Sequence, residues 1–291
     1  MRTLENCNPF VTFIYFGFVT LVGMFIPFPP LLAVSLICAM VCFAVTPGDN
    51  KKSFFIFAWV LFLVLVIINP IISHKGSTVL LVINDRPVTL ESIYFGLNSA
   101  VMVVSALFWF KCLTFIMTGD KLIYITSFLS KDLSLVLSMS LRFVPLFNRQ
   151  RRRVRDTQRA MGLFNEDSIT GDILASVRIF SIIITWALEN GITTADSMEA
   201  RGFSVGRRTC YRIEKFTLRD LCMLLIFIAL FGVVIVNRLT GGADNAFYPD
   251  TYITFAGGDA IAAAAFLLLG LMPVILKAEV SLKWRYLQRR V

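Results

Sequence analysis

Six runs of apolar residues, at positions 10–26, 31–45, 54–72, 93–117, 218–236 and 260–276, constrain this chain more than anything else in it. A helix needs about 20 predominantly apolar residues to cross the hydrocarbon core of a bilayer. In lipid, every backbone polar group must be satisfied within the structure, which leaves helices or closed barrels. These runs are too long for strands, so they read as helices. The run at 31–45 is short for a span, and it either tilts little or thins the bilayer locally. Only 16% of residues are charged, against about 25% in soluble domains. The predicted fold is an all-α polytopic membrane protein of about six transmembrane helices, with a cytoplasmic helical region between the fourth and fifth. The first run starts near Phe10, is too long for the core of a signal peptide, and is not followed by a small-residue cleavage site.

Pro27, Pro29 and Pro30 form the first break, because proline cannot continue a helix. Pro47-Gly48-Asp49-Asn50 forms the second, and Gly119-Asp120 ends the fourth run. Lys51 and Lys52 flank the second turn, fifteen basic residues fall within 120–216, and Lys283, Arg285, Arg289 and Arg290 lie in the tail. The opposite loops hold only Lys75, Arg86 and Arg238. Positive charge favours the cytoplasmic side, so both termini are expected inside. The same bias accounts for the net charge of +9 without any nucleic-acid partner. Three regions follow: N-terminal transmembrane helices at 1–118, cytoplasmic helices at 119–216, and C-terminal transmembrane helices with a basic tail at 217–291. In the outer loop, residues 78–83, a turn at Asn84-Asp85 and Pro87-Val88-Thr89 read either as a small hairpin or as a re-entrant segment.

The middle region is unlike a soluble domain. Residues 133–147 are apolar, interrupted by Arg142 and Pro145, and run into the basic stretch 148–155. A second apolar helix is expected at 173–188, then a shorter polar helix at 193–201. Greasy helices interspersed with charge suit a bundle lying against the inner membrane surface. The stretch from Thr157 to Phe164 and the stretch from Ser197 to Phe203 echo each other, each placing Ala-x-Gly at an expected helix end: Ala160-Met161-Gly162 and Ala200-Arg201-Gly202.

Enzyme chemistry finds little to work with. The acidic residues are scattered, Asp196 and Glu199 being the best pair on one face. His74 is the only histidine, and neither HExxH nor GxxxxGK[ST] occurs. The six cysteines form no CxxC. Cys38 and Cys42 share a face within a greasy run, which fits free thiols better than a metal site. No cofactor is expected. Charges inside spans mark ion paths and are nearly absent here; Lys111 lies within snorkelling reach of the inner surface.

Two readings fit the helix tips. Glycine accepts the left-handed conformation after a helix, and arginine near the last carbonyls favours the helix dipole, so Arg201 and Gly202 suit a simple cap. Alternatively, Arg201 projects its fork of donors into a partner's cleft. The arginines between Arg149 and Arg155 either face water and lipid phosphates or meet an acidic partner surface. Among them Phe147, Val154 and Met161 recur every seven residues as a narrow apolar seam.

From about Gly76 to Arg212 the chain resembles the transmembrane coupling (T) subunits of energy-coupling factor (ECF) transporters, the family that includes the cobalt-transport membrane subunit. The resemblance rests on Gly76-Ser77-Thr78, Thr89-Leu90-Glu91 and Leu141-Arg142-Phe143-Val144-Pro145. It continues through Gln158 to Gly162, then Met198-Glu199-Ala200-Arg201-Gly202-Phe203 and Arg208-Thr209. It implies a non-catalytic subunit that joins a small substrate-binding membrane protein to two cytoplasmic ABC-type ATPase subunits, for uptake of a vitamin or metal ion. It implies, too, that two Ala-Arg-Gly motifs at helix ends dock into the ATPases. Ala200, Arg201 and Gly202 carry the second motif intact. The first falls on Ala160, Met161 and Gly162, with methionine in place of arginine. Either Arg159 supplies the charge, although it points about 200° away on a helix, or Met161 docks as an apolar plug and the two ATPases are gripped unequally. The competing classes are a stand-alone carrier or membrane enzyme whose basic face binds anionic lipid, and a scaffold without transport.

Overall fold

The computed structural model describes residues 7–46, 51–72, 78–83, 86–163, 169–203, 205–206, 216–240, 245–246, 252–253 and 257–288. The expected turns at 47–50 and 84–85, His74, Gly76-Ser77, Phe164, Arg208-Thr209, Cys210, Arg289 and Arg290 lie outside them. Among the described residues the order is α1 (Pro9–Phe25), α2 (Pro29–Val45), α3 (Lys51–Ile72), β1 (Val79–Ile83), β2 (Arg86–Thr89), α4 (Leu90–Ile116), α5 (Gly119–Leu129), α6 (Lys131–Ala160), α7 (Ile169–Ala200), α8 (Leu218–Leu239), β3 (Asn245–Ala246), β4 (Tyr252–Ile253) and α9 (Asp259–Gln288). The chain is an all-α polytopic membrane protein whose only strands among these residues form two short hairpins.

Among the described residues five helices, α3, α4, α7, α8 and α9, are long and apolar enough to cross a membrane; α1 and α2 have 17 residues each. On α3, Ile56, Trp59, Ile67 and Ile72 are all exposed, and Ala58 and Pro70 are its buried residues. So much exposed apolar surface on one helix is stable against lipid and not against water. By length and hydropathy α7 qualifies as well, so those two properties alone do not separate it from the spanning helices.

By contacts the chain divides into two compact units, Met1–Thr118 with Glu214–Val291, and Gly119–Ile213. In the first unit α4 packs on α1, α2 and α3, while α9 packs on α2 and α8. Its centre is aromatic. Tyr15 and Phe16 of α1 meet Trp109 of α4, with ring centroids 6.5 and 6.2 Å away, and Phe227 of α8 sits 4.9 Å from Tyr15. Each polar tip there finds a partner: the Tyr15 hydroxyl donates to the Leu269 carbonyl at 3.0 Å, and the Trp109 Nε1–H donates to Ser35 Oγ at 3.2 Å. In lipid such bonds fix which helices meet, because apolar contact alone discriminates little. The last carbonyls of α2 are met by lysines from two other helices: Lys51 Nζ donates to Ala44 O at 2.8 Å and Lys277 Nζ to Val45 O at 2.6 Å. Cations placed there complement the helix dipole.

The outer-loop segment is a hairpin, β1 pairing antiparallel with β2 and Val82 opposite Pro87. In the second unit α5 packs on α6 and α6 on α7. Helix α5 was not expected. Residues 133–147 and the basic stretch they run into form one 30-residue helix, α6, with Pro145 inside it. One other expectation needs correction: 173–188 and 193–201 are not two helices but belong to one 32-residue helix, α7. The polar stretch does not break α7, because its hydroxyls bond back along the helix: Thr193 Oγ1 donates to Glu189 O at 2.8 Å, Thr194 Oγ1 to Asn190 O at 2.6 Å and Ser197 Oγ to Thr193 O at 2.7 Å. Satisfied in this way, they leave the backbone ladder intact.

Candidate functional site: two helix tips

Helices α6 and α7 end in the same backbone device. After Ala160 comes Met161, then Gly162 with φ of 68°; after Ala200 comes Arg201, then Gly202 with φ of 77°. In α6 the Gly162 amide donates to Arg159 O at 3.0 Å and the Leu163 amide to Gln158 O at 3.1 Å. In α7 the Gly202 amide donates to Glu199 O at 2.9 Å and the Phe203 amide to Met198 O at 3.0 Å. Both are the paired 5→2 and 6→1 bonds of a Schellman cap, which satisfies carbonyls the helix would leave open. The left-handed turn belongs to glycine because an L side chain there strains against the backbone.

The cap fixes what each tip offers. Met161 and Arg201 occupy the same position, the last before the glycine. Met161 is 68% exposed, and Arg201 is exposed too. Ala160 and Ala200, the last helical residues, are exposed and small, so a partner surface can approach the backbone. Arg159 is exposed one position before Ala160, on a different side of α6 from Met161. Thus each triplet forms one cap, and the two caps end different helices of one unit. The simple-cap reading of Gly162 and Gly202 is correct for the backbone; the side chains between are free of that duty.

The two helices meet through aromatic residues, the Phe147 ring lying edge-on to Trp186 with centroids 5.9 Å apart and Phe143 stacking on Phe147 at 5.6 Å. Of the seven-residue seam, Phe147 and Val154 are half-buried, whereas Met161 emerges beyond the helix end. Gln158, one turn before the tip, is buried. Beside the α7 tip a cleft of about 530 Å³ opens between α6 and α7, lined by Leu135, Met139, Phe143, Met198, Glu199 and Phe203 among others. Sequence reasoning missed this cleft. The signal was available: Met198 and Phe203 hold the cap positions where an apolar contact accompanies a Schellman turn.

The structure also joins two of the motifs in the outer loop. Thr78 gives Glu91 two bonds to Oε1, from its hydroxyl at 2.8 Å and its backbone N–H at 3.2 Å. Thr89 caps α4, accepting from the Ser92 amide at 3.3 Å. Thr78 and Glu91 therefore anchor the hairpin on the α4 N-terminus, where a carboxylate is also favoured by the dipole. Lys111 holds its ammonium 5.6 Å from the Phe54 ring centre.

No protein-family model matches the chain. Similarity to curated proteins is clear over part of it. The chain is 32% identical over 113 residues to the energy-coupling factor transporter transmembrane protein EcfT of Bacillus selenitireducens, a match covering 38% of this chain and 42% of that protein. It is 33% identical over 110 residues to EcfT of Lactobacillus helveticus, covering 37% and 39%. With EcfT 1 of Listeria monocytogenes it shares 30% over 109 residues, covering 37% and 41%. The match thus spans about two fifths of the length of these relatives. These relatives support the T-component resemblance that the motifs carry.

Proposed function

We propose that this chain is the transmembrane T component of an energy-coupling factor transporter, an ABC-type importer, and that it transmits ATP-driven motion from two cytoplasmic ATPase subunits to a small substrate-binding membrane subunit. The observation that carries the reading is the pair of identical caps presenting Met161 and Arg201 at two helix ends. Two handles built on the same backbone cap suit a pair of ATPase subunits. The chain itself is non-catalytic; hydrolysis belongs to the ATPases, and the cargo is a micronutrient, a vitamin or metal ion selected by the substrate-binding subunit.

The mechanism is mechanical. ATP binding closes the ATPase pair and displaces the docked tips. Continuous helices of 30 and 32 residues carry that displacement along their length, because packed helices move between discrete arrangements instead of deforming smoothly. Their exposed apolar faces, with Val136 and Val144 on α6 and Val177 and Phe180 on α7, bear on the substrate-binding subunit and tip it to release cargo inward. Residues 119–216 form the coupling region in this reading, between transmembrane regions at 1–118 and 217–291. The protein sits in the plasma membrane with both termini cytoplasmic. Lys51 and Lys277, gathered at the C-terminal end of α2, support that side as the inner one.

The test is Arg201→Ala. Insertion into the membrane stays normal, while ATPase co-purification or uptake falls by about thirtyfold or more, because truncating an anchoring residue costs roughly 2 kcal/mol or more. A variant that retains its ATPases and transports at the wild-type rate would sink the proposal.

A further inference from the structure

The two tips share a backbone and differ in everything around it. Over the twelve residues 149–160 that lead into the first cap, α6 carries six arginines and one aspartate, a net charge of +5. Over the matching twelve residues 189–200, α7 carries Glu189, Asp196 and Glu199 and no basic residue, a net charge of −3. Arg149, Arg151, Arg152, Arg153, Arg155 and Arg159 are all exposed, as are Glu189, Asp196 and Glu199. At the tips the order reverses: the basic helix ends in an apolar Met161, and the acidic helix ends in a cationic Arg201.

A single kind of socket cannot serve both. Acidic walls that attract the α6 arginines repel the α7 carboxylates, and a carboxylate floor that pairs with Arg201 would be desolvated against Met161 without a partner. Juxtaposed like charges and unpaired buried charges are how interfaces reject the wrong partner. Arg159 cannot restore equivalence, since it lies before the cap and on another side of the helix.

We propose that the tips are keyed to two chemically different sockets, the α6 tip to an apolar floor with an acidic rim and the α7 tip to a carboxylate floor with a neutral or basic rim. The inference rests on the coupling reading above and adds the partner's chemistry to it. Each socket then accepts one tip only, so the subunit has a fixed orientation on its motors. Methionine is suited to the apolar floor, because its unbranched, polarisable side chain fills irregular pockets.

The test places a photo-crosslinking p-benzoylphenylalanine at position 163 in one preparation and at 203 in another, the equivalent exposed positions just past each cap glycine, so that Met161 and Arg201 stay in place. The full complex is then isolated from its host membrane in mild detergent. The expected result is capture of two different ATPase surfaces, the one found from 163 rich in Asp and Glu around apolar residues. Capture of the same surface from both positions overturns the inference and leaves the coupling function standing. Capture of no ATPase from either position sinks the coupling function, and this inference with it. Two further variants separate the floor from the rim. Met161→Leu keeps ATPase attachment, whereas Met161→Arg lowers it about a hundredfold, as burying an unpaired charge does; equal attachment of the two would overturn the apolar floor. The pair Arg152→Glu with Arg155→Glu lowers crosslinking from 163 and leaves crosslinking from 203 unchanged. Unchanged crosslinking from 163, with weaker binding of phosphatidylglycerol vesicles, would assign the arginines to lipid and overturn the acidic rim.

Discussion

Gly162 and Gly202 are the residues on which both tips depend. Each sits at positive φ, and the surroundings leave room for a Cβ, with nothing within 4 Å of Gly162 and only Val205 Cγ2 at 3.8 Å from Gly202. The constraint is therefore backbone strain and not crowding. We expect Gly202→Ala to weaken the α7 cap by about 1 kcal/mol. Hydrogen exchange should quicken at the Gly202 and Phe203 amides and leave the middle of α7 unaltered; unchanged protection would show that the cap does not depend on glycine. This feature was readable from sequence, since a glycine after an expected helix is a direct signal. The equivalence of Met161 and Arg201 needed the hydrogen bonds, because it is a statement about cap position and the residues themselves have nothing in common.

At the scale of the helices, close approach decides which elements pair. A Cβ on Gly270 of α9 would lie 2.8 Å from Cys38 Cβ and 3.0 Å from its sulfur on α2, and one on Gly96 of α4 would lie 3.0 Å from Asn69 Cβ on α3. Small residues at such crossings let helices pack where lipid offers no hydrophobic drive. Gly270→Val should cost about 1–3 kcal/mol by overpacking and lower the midpoint of thermal unfolding in detergent. Gly17 of α1 has nothing within 4 Å, so Gly17→Ala should gain roughly 0.5–1 kcal/mol of helix preference instead. The reverse order of the two midpoints would refute this account of the α2–α9 crossing. Sequence periodicity found the apolar runs but divided α7 too early. The Thr-rich stretch before Ser197 looks like a stop when read locally. Packing of α6 on α7 outweighs that local preference, as tertiary context often does, while the i−4 bonds keep the hydroxyls from competing for the backbone.

For the whole molecule, a coupling subunit without an engine moves nothing. The purified chain alone in liposomes should show no uptake and no ATP turnover, and both should appear only with ATPase and substrate-binding subunits added. Uptake by the chain alone would restore the stand-alone carrier. Hydropathy and the distribution of lysine and arginine determined that this is a membrane protein with a basic middle region, because transfer to lipid and the inside bias are sums over residues and need no coordinates. The order of residues also placed a glycine at each tip. Which helices meet, the merging of two expected segments into α7, the cleft beside Phe203 and the placing of Met161 where Arg201 stands on its own helix were decided by the tertiary structure. Each depends on atoms distant in the chain, or on hydrogen bonds whose choice between alternatives only packing makes.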